Sequence, residues 1–283
     1  HLGAERLGCT VIPTSAGVTQ RQVLLMRDLG STVLTCTPSY ALVLAEAAQA
    51  PPRPNGLSLR VGIHGAEPWS EGMRAQLRAG LGLEPYDIYG LTELGGPGVA
   101  IECSQHRGLH IFEDHFLAEV VDPDSGQRLP DGEVGELVIT SLTRQAAPVL
   151  RYRTGDRTQL SSEACPCGNP FRRFLRIQGR TDDMLVIRGE NVFPSQIEEV
   201  LLRVVGLSGN YQLVVDREKG RLDTLEVRVE VMASTDSGDL GQTAEQALKE
   251  TIGLAVQVTV LPPQSLPRSE GKARRVVDRR ELR

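Results

Sequence analysis

The first 90 residues alternate between two hydrophobic patterns, one with the period of a helix and one typical of a buried strand. Residues 19–30, TQRQVLLMRDLG, have the helical pattern, and residues 31–39, STVLTCTPS, form an apolar run that predicts a strand. Residues 59–68, LRVGIHGAEP, predict another strand. Residues 70–82, SEGMRAQLRAGLG, predict a helix with Ser70 as its N-cap. This regular alternation indicates a mostly parallel α/β sheet with helices packed on it.

Beyond residue 100 the pattern changes twice. Residues 110–142 alternate apolar and polar positions between the turn formers DPDSG and LPDG, which predicts antiparallel strands or a small barrel. From residue 181 onward, strand and helix patterns fit a compact α+β module of about 100 residues. We therefore predict one domain over 1–180, with an α/β layer to about residue 100 and a strand-rich subdomain over 101–180, and a second domain over 181–283.

The start of the chain is atypical. It opens at His1 rather than Met, already within a helix-to-strand pattern. Residues 5–13, ERLGCTVIP, predict the end of a short helix followed by a strand. We therefore expect the chain to be part of a longer protein.

The composition argues against two classes of partner. Lys and Arg number 31 against 36 Asp and Glu, and the net charge of −5 gives no general attraction to nucleic acid or to an anionic membrane. No run approaches the roughly 20 apolar residues of a membrane-spanning helix, and the N-terminus lacks the pattern of a signal peptide. We therefore expect a cytoplasmic protein that binds neither nucleic acid nor membranes.

Polar groups follow two successive predicted strands. HGAEP, residues 64–68, and YGLTE, residues 89–93, should both project from the carboxyl edge of the sheet, where open α/β sheets bind ligands. Tyr89 could offer a flat face to a planar ring, and Glu93 could offer an oxygen ligand to Mg²⁺. Alternatively, Tyr89 is a half-buried strand aromatic and Glu93 is a solvated loop acid.

Three further stretches carry chemistry. In RYRTGD, residues 151–156, a glycine lets the backbone turn and Asp156 can accept two hydrogen bonds from a vicinal diol. Residues 179–201 join a charged turn to a strand, a glycine loop and a helix at the predicted domain boundary. In LPRSEGKARR, residues 266–275, a flexible loop could carry Lys272 to a developing negative charge.

The order and spacing of four motifs resemble those of the adenylate-forming superfamily, which activates carboxylic acids through acyl-AMP. The four motifs are YGLTE, YRTGD, GRTDDMLVIRGENVFP and SEGK. Within this superfamily the chain looks like the phenylacetate-coenzyme A ligase branch. The stretches that carry this second resemblance are AERLGCTVIP, TPSY, HGAEPW, YDIYGLTELGGPGVAIEC and GLHIFEDHF. The resemblance covers nearly the whole chain. It implies part of a large α/β domain plus a strand-rich subdomain, followed by a small, mobile α+β C-terminal domain.

The resemblance also implies a role for each motif residue. Thr92 would meet the α-phosphate of ATP, Glu93 would hold Mg²⁺, and Asp156 would bind the ribose hydroxyls. The residues implied to bind the nucleotide are Gly65, Ala66, Glu67, Pro68, Tyr89, Gly90, Thr92, Asp156 and Arg180.

Catalysis would involve a hinge and a mobile lysine. Asp182 lies where the family has its hinge, and Lys272 matches the lysine that bridges carboxylate and phosphate, with Thr92 and Glu93 completing the implied catalytic set. The wall of the acyl pocket is predicted at Tyr40, Gly95, Gly96 and Pro97.

The implied reaction is the ATP-dependent activation of an aryl or arylacetic acid, followed by transfer to coenzyme A. Its cofactors would be ATP/AMP, Mg²⁺ and coenzyme A, and the family suggests a homodimer. Two alternatives stay open. One is an adenylating enzyme that loads a carrier protein in secondary metabolism. The other is a catalytically silent nucleotide-binding fragment, since the family's phosphate loop lies upstream and residues 14–22, TSAGVTQRQ, lack its pattern.

Three of the five cysteines and one histidine form a candidate metal site. Residues 165–168, CPCG, predict a tight turn presenting two thiolates, and residues 102–110, ECSQHRGLH, supply further ligands. Three sulfurs and one imidazole could hold a structural Zn²⁺ ion; the alternative is free reduced thiols. The other two cysteines, Cys9 and Cys36, are predicted to be small core residues. The predicted ligands are Cys103, His110, Cys165 and Cys167.

Overall fold

A computed structural model describes the chain over residues 1–15, 17–49, 56–180, 183–188, 190–217, 222–233, 235, 238–268 and 273–280. The helices in these ranges are α1 Leu2–Arg6, α2 Thr19–Asp28, α3 Pro38–Gln49, α4 Glu71–Leu81, α5 Pro194–Arg203 and α6 Leu240–Ile252. Measured over the described ranges, every helix is too short or too polar to cross a bilayer.

The strands of the described ranges form four sheets. In chain order they are β1 Val33–Cys36, β2 Val61–Gly65, β3 Glu84–Leu91, β4 Gly96–Glu102, β5 Leu109–Ile111, β6 Phe116–Val121, β7 Gly135–Ser141, β8 Tyr152–Thr158, β9 Leu160–Ser161, β10 Arg173–Phe174, β11 Gly179–Arg180, β12 Leu185–Ile187, β13 Glu190–Val192, β14 Leu207–Asp216, β15 Thr224–Val231, β16 Gln257–Leu261 and β17 Val276–Asp278.

The largest sheet has seven strands in the order β1-β2-β3-β4-β5-β10-β9. Its first three strands are parallel, as the helix–strand alternation predicted, and the remaining four pair antiparallel. The change of direction follows from the link between β3 and β4. A 3₁₀ turn at Thr92–Leu94 leads into Gly95 and Gly96, with φ of 99° and 113°, and a link this short returns the chain as a hairpin.

Helix α4 packs on this sheet and has the predicted ends. The hydroxyl of Ser70 accepts a 3.2 Å hydrogen bond from the backbone N–H of Met73, which satisfies a free donor in the first turn. Gly82 ends the helix with φ of 68°, a conformation that costs glycine little. Met73 and Leu77 are fully buried against α3, so the apolar stripe of α4 builds the helical layer of the core.

Two predictions for the first residues were wrong. Residues 9–15 form no strand in the described structure, and most of their side chains are exposed. A β-strand needs a neighbouring strand for its backbone hydrogen bonds, and in the described structure β1 pairs with β2 only, so residues 9–15 have no strand to pair with. Cys9 is exposed, not buried in the core as predicted, because it lies in this segment; Cys36, at the end of β1, is half-buried.

The predicted strand-rich region also forms antiparallel ladders. Strands β11, β8, β7 and β6 make a second sheet, so residues 110–142 contribute to two sheets. The fully buried side chains of Ile111, Leu137 and Phe174 belong to one apolar cluster shared by both sheets. A hydrogen bond from Tyr89 of β3 to Asp156 of β8, the strand of the TGD motif, brings these two strands close together.

The C-terminal part has its own core. Its sheet has the order β16-β15-β14-β17, and α5 and α6 cover it through buried residues such as Ile197, Leu201 and Leu248. Helix α5 also contacts α4 through Leu202, which packs against the first core. A Cβ at Gly72 of α4 would lie 2.7 Å from the Cβ of Leu202, so the two helices meet where one has no side chain.

Candidate active site

A crevice of about 530 Å³ opens at the carboxyl ends of β2 and β3. The HGAEP and YGLTE motifs supply one side, and strand β8 and the residues before β11 supply the other. The predicted nucleotide and acyl-pocket residues that line it are Ala66, Glu67, Pro68, Tyr89, Gly90, Thr92, Gly96, Pro97, Asp156 and Arg180, together with the predicted Mg²⁺ ligand Glu93. Residues that lie more than 100 positions apart in the sequence therefore line the same crevice.

Tyr89 and Asp156 join the two sides of the crevice. The tyrosine hydroxyl donates a 2.5 Å hydrogen bond to Oδ2 of Asp156, and the tyrosine ring packs edge-on against Phe174 with 5.0 Å between centroids. Burial raises the pKa of Tyr89, so its hydroxyl stays protonated and acts as a donor. Oδ1 of Asp156 lies 3.4 Å from Nη1 of Arg180, which brings a cation to the same carboxylate.

The turn after β3 presents Thr92 and Glu93. Gly90 precedes it, and a Cβ there would lie 2.0 Å from the carbonyl oxygen of Gly96, so only glycine fits. Arg144 donates a hydrogen bond to the backbone carbonyl of Glu93. The Glu93 side chain is exposed, and among the described residues its carboxylate has no hydrogen-bond or ion-pair partner. Its oxygens are therefore free to bind a hard cation.

Glu67 connects the crevice to the C-terminal part. Its Oε1 accepts a 2.6 Å hydrogen bond from the backbone N–H of Ser39, near the start of α3. Its Oε2 accepts a 3.2 Å bond from the backbone N–H of Ala273, next in sequence to Lys272. One carboxylate thus spans two segments separated by more than 200 residues.

Arg275 strengthens the same contact, although the sequence patterns did not single it out. Nη1 of Arg275 pairs with Glu198 at 3.2 Å, and the guanidinium carbon lies 4.3 Å from the ring centroid of Tyr211. Nη2 of Arg275 donates to the hydroxyl of Ser39 at 3.3 Å. The only signal in the sequence was the position of Arg275 three residues after Lys272.

Two ionisable groups, one half-buried and one fully buried, flank the crevice. Burial raises the pKa of Asp87, which lines the crevice, to about 7. His64 is fully buried, and burial lowers its pKa to about 4. Its Nδ1 lies 3.1 Å from the carbonyl oxygen of Cys36, and its ring meets Trp69 edge-on, so the neutral imidazole packs beneath the HGAEP loop.

Some predicted residues lie elsewhere. Tyr40 is buried between α2 and α3, where its hydroxyl is 3.3 Å from that of Thr19, so it does not face the crevice. Gly65 ends β2, and a Cβ there would lie 2.1 Å from the carbonyl oxygen of Ile88, which explains the glycine by packing. Gly95 shapes the turn before β4. The predicted hinge Asp182 and catalytic Lys272 fall outside the described residues.

The four predicted zinc ligands also come together, away from the crevice. The ligand atoms of Cys103, His110, Cys165 and Cys167 all lie within 4.8 Å of one another. The predicted CPCG turn is confirmed, since the backbone N–H of Gly168 donates to the carbonyl of Cys165 at 3.0 Å. We call these four residues the cysteine–histidine cluster.

The fold has a mixed α/β sheet with a crevice at the carboxyl ends of its parallel strands, the place where open α/β sheets bind ligands, and comparison with protein families identifies the class. Residues 2–143 match the AMP-binding enzyme family, and residues 189–280 match the AMP-binding enzyme C-terminal domain. The chain therefore belongs to the AMP-binding enzyme family of adenylate-forming enzymes. Its relatives at 46–49% identity are phenylacetate-coenzyme A ligases, which confirms the resemblance drawn from the motifs.

Two relatives illustrate the similarity. The phenylacetate-coenzyme A ligase of Thermus thermophilus is 49% identical over 302 aligned positions, covering 99% of this chain and 68% of that protein. The ligase of the same name from Escherichia coli is 47% identical, covering 100% of this chain and 66% of that protein. The chain thus spans about two thirds of the length of the curated relatives it matches.

Solved structures add information on the arrangement of the parts. A 2-hydroxyisobutyryl-CoA ligase in the postadenylation state, with 2-HIB-AMP, aligns with a TM-score of 0.90 at 31% identity, covering 99% of this chain and 62% of that one. The same enzyme in the thioesterification state aligns at 0.61, also at 31% identity, covering 99% and 61%. The chain therefore aligns better with the postadenylation structure than with the thioesterification structure of the same enzyme.

Proposed function

We propose that the chain is part of an AMP-forming acid–thiol ligase that activates an aryl or arylacetic acid as acyl-AMP and transfers the acyl group to coenzyme A. The observation that carries this proposal is the crevice in which the HGAEP, YGLTE and YRTGD residues meet. Similarity to phenylacetate-coenzyme A ligases along nearly the whole chain supports the substrate class.

The proposed chemistry has two steps. First, a carboxylate oxygen of the acid attacks the α-phosphorus of ATP, an oxygen–phosphorus bond forms, and pyrophosphate leaves. Second, the thiol sulfur of coenzyme A attacks the acyl carbonyl, AMP leaves, and the thiol proton passes to solvent. The first step brings two anions together, so groups that offset negative charge in the transition state should dominate catalysis.

Residues of the crevice suit the first step. Asp156 would accept hydrogen bonds from the ribose hydroxyls, while its bond to Tyr89 fixes its orientation. The Tyr89 ring would lie against the adenine, and Thr92 would donate to the α-phosphate. Lys272 would bridge the acid carboxylate and the phosphate; its neighbour Ala273 bonds to Glu67, which lines the crevice.

A magnesium ion fits this proposal. The exposed carboxylate of Glu93 supplies the oxygen donor that Mg²⁺ prefers, and it lies at the crevice. Bound Mg²⁺ would neutralise charge on the phosphates. Two further parts of the proposal rest on the family resemblance alone: a homodimer, and a mobile domain from about residue 181 that turns about Asp182.

The described arrangement suits the adenylation half of the cycle. It aligns better with the postadenylation state of 2-hydroxyisobutyryl-CoA ligase than with its thioesterification state. The bonds from Glu67 to Ala273 and from Arg275 to Ser39 would hold the lysine segment beside the crevice during the first step. Rotation of the small domain would then break these bonds before coenzyme A reacts.

Pyrophosphate exchange by the intact protein tests the proposal. With a panel of aryl acids, we expect acid-dependent exchange that Lys272→Ala abolishes, together with consumption of free coenzyme A. Exchange without coenzyme A consumption would indicate transfer to a carrier protein instead. AMP binding by calorimetry with no exchange for any acid would contradict the proposal and indicate a silent nucleotide-binding protein.

A further inference from the structure

We propose that the cysteine–histidine cluster is a structural Zn²⁺ site that fixes the antiparallel end of the seven-stranded sheet. Its ligands come from three places: Cys103 just after β4, His110 on β5, and Cys165 and Cys167 in the loop between β9 and β10. A four-coordinate site with only protein ligands has no open position for a substrate, so its role is structural.

The distances within the cluster fit tetrahedral coordination. Sγ of Cys103 lies 3.7 Å from Sγ of Cys165, and Sγ of Cys167 lies 3.3 Å from Nε2 of His110. Zinc–sulfur bonds of about 2.3 Å at tetrahedral angles would separate two sulfurs by roughly 3.8 Å, and a sulfur and a nitrogen by roughly 3.5 Å. These two distances match a tetrahedral site, and the remaining pairs of ligand atoms, all within 4.8 Å, would need to shorten by at most about 1 Å to share one ion.

The imidazole of His110 is oriented as a ligand. Its Nδ1 lies 2.9 Å from the carbonyl oxygen of Phe171, an acceptor, so Nδ1 carries the proton and Nε2 keeps its lone pair. Nε2 is the atom that faces Cys167. A backbone carbonyl that fixes the tautomer of a histidine is a common outer contact of metal sites. The other histidine of this segment, His106, is instead within 3.1 Å of the carboxylate of Glu102.

A buried cation provides independent support. Arg173 is 3% exposed, and among the described residues no carboxylate pairs with it. Its guanidinium donates to the backbone carbonyl of Arg107 at 2.5 Å and to that of Glu163 at 2.9 Å, carbonyls in the two loops that carry the ligands. Three thiolates and one neutral imidazole around Zn²⁺ carry a net charge of −1. This anionic group would balance the Arg173 charge, which would otherwise be costly to bury.

Metal binding would therefore couple two loops to strand β10. On β10, Arg173 shares a sheet face with its register partner His110, while Phe174 and its partner Leu109 occupy the opposite face. Phe174 packs against Tyr89, so the cluster supports the crevice through the thickness of the sheet. Zinc binds cysteines as thiolates, so protons compete with the metal for these sulfurs and the affinity should fall at low pH.

Elemental analysis of this chain, purified without chelators or metal-affinity resin, tests the proposal. We expect about one zinc per chain, and loss of most of it in Cys165→Ser and Cys167→Ser. The matched control is Cys9→Ser, an exposed cysteine outside the cluster, which should keep its zinc. Iron in place of zinc, or equal zinc in all four proteins, would overturn the assignment.

Cobalt substitution covers the case in which the serine variants fold poorly. Adding Co²⁺ to the chelated wild-type chain should give the visible bands of tetrahedral coordination together with thiolate-to-cobalt charge transfer. Chelation should also lower the unfolding midpoint of the wild type and of Cys9→Ser. An octahedral cobalt spectrum, or a disulfide between Cys103 and Cys165 in freshly purified protein, would contradict the proposal. None of these readouts depends on ligase activity.

Discussion

The hydroxyl of Tyr89 donates a 2.5 Å hydrogen bond to Asp156, and this bond ties the end of β3 to β8 across the crevice. Asp156 is 5% exposed, so its carboxylate depends on its protein partners for hydrogen bonds. Tyr89 therefore has two separable functions: its ring lines the crevice and its hydroxyl satisfies Asp156.

Replacing Tyr89 with Phe separates these functions. The ring remains, while Asp156 loses one donor, so we expect the free energy of unfolding to fall by about 1–2 kcal/mol. AMP affinity should fall as well, because the acceptor for the ribose is less well oriented. Urea unfolding and calorimetry measure the two effects.

Tyr86 on the same strand provides the control. Its ring stacks on His106 at 5.2 Å, and its hydroxyl has no partner among the described residues, so Tyr86→Phe should change neither quantity. Equal behaviour of the two variants would show that the bond to Asp156 is unimportant.

Glu67→Gln tests the contact between the crevice and the segment after Lys272. Ser39 and Ala273 donate to different oxygens of Glu67, and the glutamine would place an NH₂ donor opposite one of these two N–H groups. In the intact protein we expect pyrophosphate exchange to fall on the order of tenfold, as expected for a lost charge-assisted bond of about 1.5 kcal/mol. Thioester formation from supplied acyl-adenylate should stay unchanged.

An exposed carboxylate far from the contact serves as control. Glu133→Gln should leave both half-reactions at the wild-type rate. If Glu67→Gln slowed both half-reactions equally, its role would be general stability rather than the positioning of the C-terminal segment.

Gly72→Ala tests the packing of α4 against α5. The new methyl group would lie 2.7 Å from Cβ of Leu202, too close for the helices to stay where they are. Alanine favours a helix over glycine by about 1 kcal/mol, so α4 itself should not be weakened. We therefore expect slower pyrophosphate exchange by the intact protein, with little loss in its thermal midpoint.

Gly241→Ala in α6 is the matched control, since its methyl group would have ordinary contacts of 3.5 Å. It should leave exchange unchanged. A large drop in the midpoint of Gly72→Ala would indicate that the clash distorts α4 instead of separating the two helices.

His64 should make stability depend on pH. Its folded pKa of about 4 lies below the usual histidine pKa of 6.5, so the unfolded chain binds more protons between these limits. The free energy of unfolding should therefore fall as the pH drops from 6.5 toward 4, by up to about 3 kcal/mol.

Urea unfolding at several pH values measures this effect. In His64→Gln the slope over this range should flatten, because the buried group no longer titrates. In His115→Gln it should persist, since His115 is exposed. An unchanged slope in His64→Gln would assign the pH dependence to other groups.

The sequence predicted some features well because their causes are local. Ser70 and Gly82 mark the ends of α4 by side-chain capping and backbone freedom, and both signals lie within a few residues of the helix. The motifs of the crevice were also recognisable, because each combines a glycine with a polar group at a strand end.

Other features depend on distant residues and could not be predicted. The strand expected in the second half of residues 5–13 has no neighbouring strand to pair with in the described structure, and no local sequence pattern shows this. The parallel pairing of β1, β2 and β3 was predicted, but the extension of the same sheet by the antiparallel strands β4, β5, β10 and β9 was not, because pairing between distant residues sets it. Arg275 contacts Ser39 from 236 residues away, so its part in the contact becomes visible only in three dimensions.

The alternation of side chains on β5 gives this short strand an unusual constraint. Leu109 faces the crevice and the apolar cluster, whereas His110, the next residue, faces the cysteines. A register shift of one residue in β5 would place an imidazole among apolar side chains and a leucine among thiols. The shifted register is therefore unfavourable on both faces of the sheet. Three residues of strand thereby set the alignment of two sites, and an insertion or deletion between Cys103 and Leu109 should be tolerated only if it leaves that alignment intact.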